Sequence, residues 1–424
     1  MPRIIPRLIQ KIAEQSDHAK FSFPPAFRRN RAKKSLYQPP PLKPTYNARD
    51  YEQSILLKPS NPVTNKKAYV RHKTLAPRQY GQPSPQPGEV DPTRLMNDSE
   101  YNWWANPYLR MLTSPLRKCI VTGRHLPTDL LIRLVALRVS AARIRHKGDP
   151  AVMVPVIVPD GLQHPKFTRR VAGGAIYAHC WKQVIERIQT RFHHYPRVPG
   201  CVASPHLDHQ IAHQLRLRVV QEFVFLADRL ENLAKAKRWK DTKDPVPVTL
   251  RRLTYEEWGH MKMTGTAPYE DAVAIIILPP VNRDTVTKKR PEPSTSALPP
   301  DDEQHPKDLP PVSTLLPAVA DDQIDASLPD ILPTLKIPLY NGVSCFPSRS
   351  QRRALHSTLK RILDVESVFN ATRPKRGNSA KLSHAFLLCS SGSIAKWCDP
   401  AAAAVALWRL RMYEGDGWSK EPIG

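Results

Sequence analysis

The chain has 424 residues, and its 64 Lys and Arg against 38 Asp and Glu set a formal net charge of +26 at pH 7. A chain this basic attracts polyanions, because the counterions that it displaces make nucleic-acid binding favourable and salt-sensitive. The charge favours nucleic acid over an anionic membrane surface or an acidic protein as the partner. No apolar run approaches the roughly 18 residues that span a bilayer, so we expect no membrane span.

Proline and cysteine usage narrow the class of protein further. The 45 prolines interrupt helices and central strands, and the aromatic content is only 7%. Together with a mean hydropathy of −0.45, these values indicate a partly ordered chain. The 6 cysteines are widely spaced and none forms a C-x-x-C pair. That pattern does not suit a disulfide framework, so we expect a reducing compartment rather than secretion.

The first 95 residues are predicted to be a disordered, basic, proline-rich arm. Acidic residues are scarce at its start, and Ile4, Leu8 and Ile12 would share one face of a short helix. A basic, acid-poor, amphipathic start is typical of a mitochondrial transit peptide, which predicts a location in the mitochondrial matrix. A basic arm that wraps RNA or DNA would account for the same residues.

The main domain is predicted over residues 96–280. A helix capped by Asn106, with Pro107 in its first turn, opens this domain. The stretch Ser114–Val139 follows and combines a basic run, a short β-type run and a turn. Its last part, Leu130–Val139, is apolar apart from two arginines and predicts a mostly buried strand.

A glycine pair later in this domain suggests a phosphate contact. Gly173 and Gly174 follow Arg169 and Arg170 and precede a helix predicted over Ala178–Phe192. Glycine accepts positive φ and leaves backbone N–H groups accessible. The pair can therefore form a phosphate-binding turn at a helix N-terminus, or a plain tight turn.

Basic side chains on either side of the glycines complete the predicted nucleic-acid surface. Arg117, Lys118 and Arg124 of the opening stretch are expected beside the glycine pair, where they would face a phosphate backbone or merely solvate a β-rich edge. The full set of predicted nucleic-acid contacts is Arg117, Lys118, Arg124, Arg169, Arg170, Gly173, Gly174, Arg352, Arg353, Arg373, Lys375 and Arg376.

A defined order of motifs runs through residues 114–192. The matching positions are Arg117, Cys119, Ile120, Val121, Pro127, Asp129, Leu130, Ile132 and Arg133, then Asp160, Gly161 and Gly173 to Tyr177. This order resembles the bacterial YlxR family of small RNA-associated proteins, although the Arg that the family has between its glycines is missing. The resemblance implies a basic, RNA-facing surface on a small α/β unit. The overall character of the chain resembles fungal-type mitochondrial ribosome-associated proteins.

Histidines on a later predicted helix suggest a metal-dependent alternative. The helix would begin near Pro205, and one apolar stripe is formed by Ile211, Leu215, Val219, Phe223, Leu226, Leu230 and Leu233. His206, His209 and His213 then share roughly the opposite face. Imidazoles at this helical spacing can chelate Zn²⁺, which would suit a hydrolase or nuclease. Solvated histidines on an amphipathic helix explain the same pattern, and we expect no metal or other cofactor.

The last third of the chain is predicted as two further segments. Residues 281–334 are expected to be an acidic, proline-rich, disordered linker, and residues 335–424 a small C-terminal α/β segment. Helices are predicted over Ser350–Asp364 and from Pro400, with Asp399 as its N-cap. The C-terminal segment could be a second small domain or could complete the main one.

These observations predict a fold of the α/β (α+β) class: a small mixed sheet with packed helices, flanked by long disordered basic and proline-rich segments. Nucleophile elbows, P-loops and H-E-x-x-H motifs are missing from the sequence, so we expect no catalytic residues and no enzyme. We predict a non-enzymatic RNA-binding protein, a mitochondrial ribosome component or a ribosome assembly or translation factor. Its partners would be rRNA and ribosomal proteins, without a small-molecule substrate. A nuclear DNA-associated factor is a further alternative, because Lys288–Pro291 and Arg373–Arg376 could serve as import signals.

Overall fold

A computed structural model describes residues 96–140, 153–171, 173–191, 201–236, 248–283, 287–295, 310–318, 336–369 and 381–415 of the protein. Every structural statement below concerns these residues. The predicted N-terminal arm lies outside them, as does the basic loop with Arg373, Lys375 and Arg376. The chain divides into two units between Glu100 and Tyr101.

The described end of the first unit holds the start of helix α1, Asp98–Ala105. The Asn97 N–H donates to Glu100 Oε2 at 3.0 Å, and the Glu100 N–H donates to Asn97 Oδ1 at 2.8 Å. This reciprocal pair is a capping box, which satisfies backbone donors that have no partner inside the first helical turn.

Helix α2, Pro107–Leu112, confirms the helix predicted at the start of the main domain. The Asn106 side-chain oxygen accepts hydrogen bonds from the N–H groups of Tyr108 at 2.9 Å and Leu109 at 3.2 Å. Pro107 occupies the first turn, where its missing N–H costs nothing because that donor would be unpaired anyway. The cap and the proline therefore define this helix start as the sequence predicts.

A two-stranded hairpin and a four-stranded sheet follow helix α2. The hairpin strands are β1, Leu116–Lys118, and β2, His125–Pro127. The sheet strands are β3, Leu131–Ser140; β4, Met153–Pro159; β5, Ile176–His179; and β6, Val202–Ala203. Their order is β5-β3-β4-β6, with β3 antiparallel to both of its neighbours and β6 parallel to β4.

Strand β3 confirms the strand predicted over Leu130–Val139, but only its first half is buried. Leu131, Ile132, Leu134 and Val135 are buried, whereas residues 136–139 are exposed. The difference follows from pairing, because β5 pairs with β3 only as far as Leu134. The expectation of a mostly buried strand is therefore wrong for the second half, which pairs with β4 alone.

A five-stranded sheet joins residues from both sides of the predicted linker. Its strands are β7, Leu250–Thr254; β8, Ala272–Ile277; β9, Ser313–Pro317; β10, Lys336–Asn341; and β11, Leu382–Cys389. The order is β7-β11-β8-β10-β9, in which β8 and β10 are parallel and the other pairs antiparallel. Because β8 lies between β10 and β11, the C-terminal segment completes the sheet of the preceding segment.

Strand β9 corrects the expectation that residues 281–334 form a linker without structure. Leu315 and Leu316 lie in a short β-type run inside the proline-rich composition, and β9 pairs antiparallel with β10 in a register that joins Leu339 to Thr314. The average composition of residues 281–334 does not reveal this strand, because it has only five residues. It forms by pairing with a neighbouring strand.

Helices cover the sheets. In chain order they are α3, Lys182–Arg191; α4, Leu207–Ala236; α5, Tyr255–Thr264; α6, Gly342–Cys345; α7, Arg349–Phe369; α8, Gly392–Ala395; and α9, Pro400–Tyr413. Helix α4 packs against α3, α7 and α9, and α9 also packs against α2. Helices α3, α4, α7 and α9 share one apolar core with both larger sheets, whereas Met261 of α5 packs in a second apolar cluster of the five-stranded sheet.

The long helix α4 confirms the predicted amphipathic helix. Six residues of the apolar stripe are buried and Leu233 packs on the core, so the stripe faces α7 and α9. In α9, Ala401, Ala403 and Ala404 are buried, and their small side chains allow the close packing that the sequence predicts. Apolar burial of this extent is the main stabilising contribution to the described fold.

The described fold is α+β, as the sequence predicts. Helices alternate with strands, and the two larger sheets each contain parallel and antiparallel pairs. Among the helices of the described ranges, none combines the length and the hydropathy that crossing a bilayer requires.

Candidate nucleic-acid interface

The β1–β2 hairpin presents three of the predicted contact residues at the surface. Its antiparallel register places Arg117 opposite Leu126 and Lys118 opposite His125. The connecting turn is closed by the Cys119 N–H, which donates to the Arg124 carbonyl at 2.9 Å, and by Gly123 at φ +69°. Since positive φ is strained for residues with a Cβ, glycine allows this turn to bring Lys118 and Arg124 close together.

Strand β5 anchors the hairpin on the four-stranded sheet. Cys119 is fully buried and forms a parallel bridge with Tyr177, and the Ile120 N–H donates to the Tyr177 carbonyl at 2.8 Å. The Thr122 hydroxyl lies 3.2 Å from Nε2 of His179. These bonds bring together the two segments that the sequence predicts to form one unit, the opening stretch and the stretch that begins at the glycine pair.

The hairpin cations are exposed and form no ion pair with a carboxylate of the described chain. The Arg117 guanidinium carbon lies 5.9 Å from the centre of the Tyr177 ring, within the range of a cation–π contact. Arg117, Lys118 and Arg124 are therefore accessible to an anionic partner at the surface. Together with the Tyr177 ring they provide phosphate-binding donors beside an aromatic face. We name Arg117, Lys118, Arg124 and Tyr177 the hairpin patch.

His179 lies beneath the hairpin patch, next to Thr122. It is buried, and burial, followed by the positive charge of Arg124, lowers the pKa of His179 below its usual value of 6.5. The imidazole is therefore neutral near pH 7, when it shares a hydrogen bond with Thr122. The neutral imidazole supports the turn through its contact with Thr122. The positive charge of the patch comes from Arg117, Lys118 and Arg124.

Gly173 and Gly174 are exposed, but they do not lie at a helix N-terminus. Strand β5 begins at Ile176, and helix α3 begins only at Lys182. A phosphate-binding turn needs the free N–H groups and the dipole of a helix start, so the structure corrects that prediction. Gly173 has φ +112°, a backbone conformation that favours glycine, and the pair lies in the segment before β5.

Arg169 and Arg170 are exposed on the loop between β4 and β5. An ion pair between Arg133 and Asp160 closes the base of this loop, and Arg133 Nη2 also donates to the Val171 carbonyl at 2.9 Å. The Asp160 carboxylate in turn accepts from the Val171 N–H at 3.2 Å. Arg133 thus has a structural role at the base of the loop. Arg169 and Arg170, by contrast, are exposed to solvent.

Of the five C-terminal basic residues of the prediction, the structure describes Arg352 and Arg353. Arg352 Nη1 donates to the carbonyls of Phe346 and Pro347, both at 2.7 Å, so its guanidinium supports the start of α7. Arg353 is half-buried, and its charge contributes, after burial, to lowering the pKa of His356. Arg373, Lys375 and Arg376 lie outside the described residues.

The histidine face of α4 does not form a metal site in the described ranges. His206 and His209 are exposed, and His213 is half-buried with Nδ1 at 3.3 Å from Nε2 of Gln351. Burial and the charge of Arg216 lower the pKa of His213. Within the ranges that the structure describes, three His, Cys, Asp or Glu side chains nowhere converge as metal ligands would.

The predicted contact set does not include Tyr177 or His179, which the structure places against the hairpin. Alternation along β5 could have placed His179 near Tyr177, but pairing with the hairpin is visible only in the fold. No protein-family model, curated protein or solved structure matches the chain. The functional proposal therefore rests on the residues of this chain.

Proposed function

We propose that the protein binds RNA without catalysing a reaction, as a mitochondrial ribosome component or as a ribosome assembly or translation factor. The observation that carries the proposal is the hairpin patch, in which three exposed cations lie without carboxylate partners and one of them, Arg117, lies beside the half-buried Tyr177 ring. Such groups bind phosphates and stack on bases, and the net charge of +26 adds a long-range attraction for a polyanion.

RNA is favoured over DNA by the arrangement of the patch. Recognition of a DNA major groove commonly uses a projecting helix or a β-ribbon that reaches base edges. The β1–β2 hairpin is a two-stranded ribbon, but its strands have only three residues each and its end is bound to the edge strand β5, with the Tyr177 ring beside Arg117. Single-stranded or looped RNA offers phosphates and unstacked bases to such a surface. The resemblance of residues 114–192 to YlxR proteins supports the same partner.

Sedimentation tests the proposal on the full chain. The protein, tagged at its C-terminus and expressed in eukaryotic cells, should sediment with ribosomal particles on a sucrose gradient of mitochondrial lysate. RNase, or salt high enough to screen phosphate contacts, should move it to the top. A protein that stays at the top of every gradient, whatever the RNase or salt treatment, would contradict the proposal.

Imaging of the tagged chain tests the location independently. Mitochondrial fluorescence agrees with the acid-poor arm as a transit peptide. Nuclear fluorescence that is lost when Lys288, Lys289 and Arg290 are changed to Gln would instead favour the nuclear, DNA-associated alternative. These three residues are exposed in the described chain.

A further inference from the structure

The loop between β4 and β5 packs on helix α4 through a layer of polar and aromatic contacts. The His164 N–H donates to Oε1 of Gln221 at 2.9 Å, and Nε2 of Gln221 donates to Oε1 of Gln163 at 3.2 Å. The Phe167 N–H donates to the His164 carbonyl at 2.9 Å, which closes a turn. The loop is therefore hydrogen-bonded to α4 through Gln221, which contacts two loop residues.

Aromatic rings continue this layer outwards from α4. The Phe225 ring on α4 lies 4.1 Å from the His164 ring and 5.5 Å from the Phe167 ring, between ring centres. The Lys166 Nζ lies 4.9 Å from the centre of the Phe225 ring. Phe225 thus supports the loop from below, and Phe167 is the outermost ring of the layer.

Phe167 remains 55% exposed, although burial of a phenyl ring stabilises a folded protein. Its surroundings are cationic, because Lys166, Arg169 and Arg170 are exposed and the loop residues 161–170 contain no Asp or Glu. In the described ranges none of these three cations forms an ion pair. An exposed ring that packs on a second ring and has three exposed cations in the same loop has the composition of a base-stacking surface.

We propose that Phe167 stacks on an unpaired base of single-stranded RNA while Lys166, Arg169 and Arg170 bind the adjacent phosphates. This inference rests on the proposed RNA-binding function and specifies the form of RNA. A base inside a duplex already stacks on its neighbours, so only a splayed-out base can cover the ring. The Phe167 ring is accessible to a base because it remains more than half exposed while it packs on Phe225 at a tilt of 41°.

Fluorescence anisotropy with the full-length protein tests the proposal. The probes are a labelled single-stranded RNA of about ten nucleotides, within the range of known single-strand sites, and a duplex of the same sequence. Phe167→Ala should weaken single-strand binding by about 5-fold or more and leave duplex binding unchanged. Because no charge is removed, the dependence of log affinity on log salt should keep its slope.

Two further variants separate stacking from loss of structure. Phe167→Trp should restore single-strand affinity to at least the wild-type value, since indole also stacks. Tyr255→Ala is the matched control, because Tyr255 is a 51% exposed aromatic residue on α5, and its affinity should equal that of the wild type. Equal single-strand affinity of Phe167→Ala and the wild type would overturn the stacking proposal while RNA binding itself stands. Failure of the wild type to bind either probe would instead overturn the proposed function.

Discussion

The hairpin patch and the helix layer of α4, α7 and α9 use the same basic residue types for opposite purposes. In the helix layer, Arg216 Nε donates to the Cys345 carbonyl and its Nη2 to Glu414 Oε1, both at 2.7 Å. Arg229 donates to the Trp397 carbonyl at 2.7 Å. In the hairpin patch, Arg117 and its two neighbouring cations are exposed without a carboxylate partner.

The comparison shows that net charge alone overestimates how many basic residues are available to bind a nucleic acid. An arginine that donates to interior carbonyls and carboxylates cannot leave them without exposing unpaired polar groups, so it belongs to the fold. Arg352 illustrates this difference, because the sequence places it in a basic helix face and the structure binds it to two carbonyls. Cations without such partners are the ones available to phosphate.

The largest expected effect concerns the stability of the helix layer. Arg216→Ala removes two hydrogen bonds and leaves the Glu414 carboxylate, whose side chain is 18% exposed, without its partner. We expect a loss of about 2 kcal/mol in the free energy of unfolding. Arg117→Ala should change it by less than about 0.5 kcal/mol, as surface substitutions usually do. Urea unfolding followed by circular dichroism measures both, and equal losses would contradict the division into fold and surface arginines.

A smaller effect is expected at the turn that shapes the hairpin patch. Gly123→Ala should destabilise the protein by about 1 kcal/mol, because φ +69° is strained for alanine, and should also weaken RNA binding by displacing Lys118 and Arg124. Gly259→Ala is the matched control: its Cβ would meet no described atom within 4 Å inside α5. Alanine there should stabilise the helix by up to about 1 kcal/mol. Thermal unfolding that shifts in the same direction for both variants would argue against the turn geometry.

The smallest expected effect is the pH dependence contributed by His179. Its folded-state pKa lies below 6.5, so the unfolded state takes up a proton first as the pH falls. The free energy of unfolding is therefore unaffected by His179 above the unfolded pKa. It decreases as the pH falls from there through the folded pKa. Unfolding midpoints from about pH 7.5 to 5 should fall more steeply for the wild type than for His179→Gln.

Arg124→Gln tests the electrostatic part of the lowered pKa of His179. Removing this charge should raise the folded-state pKa of His179 towards its usual value, while burial, the larger cause, keeps it lowered. Nuclear magnetic resonance titration of the His179 ring protons measures the shift. An unchanged or lower pKa in Arg124→Gln would show that the arginine does not act on His179.

Local signals predicted most of the helices well. Asn106 with Pro107 marks the start of α2, and the apolar stripe of α4 identifies the buried face of a 30-residue helix. Both signals depend only on residues within a few turns of each other, which is why the sequence suffices. At α9, Pro400 lies in the first turn and Asp399 occupies the N-cap position as predicted, but its carboxylate accepts from the distant Arg110 and makes no cap hydrogen bond.

Features that depend on distant partners could not be predicted. Strand β9 forms because β10 lies beside it, and strand β5 replaces the predicted helix start because Tyr177 and His179 pair with β3. For the site, the basic residues were visible in the sequence, but which of them carry exposed charge depends on neighbours from other elements. The position of Phe167 above Phe225, for example, joins residues far apart in the chain.

The most direct test of the central claim is the salt dependence of RNA binding by the variant R117Q/K118Q/R124Q. Losing three phosphate contacts should reduce the slope of log affinity against log salt by about 2 for single-stranded RNA. The variant K336Q/K360Q/K381Q removes the same charge from exposed lysines of the five-stranded sheet and α7, and its slope should stay near that of the wild type. Equal slopes for the two triple variants would contradict the assignment of RNA binding to the hairpin patch.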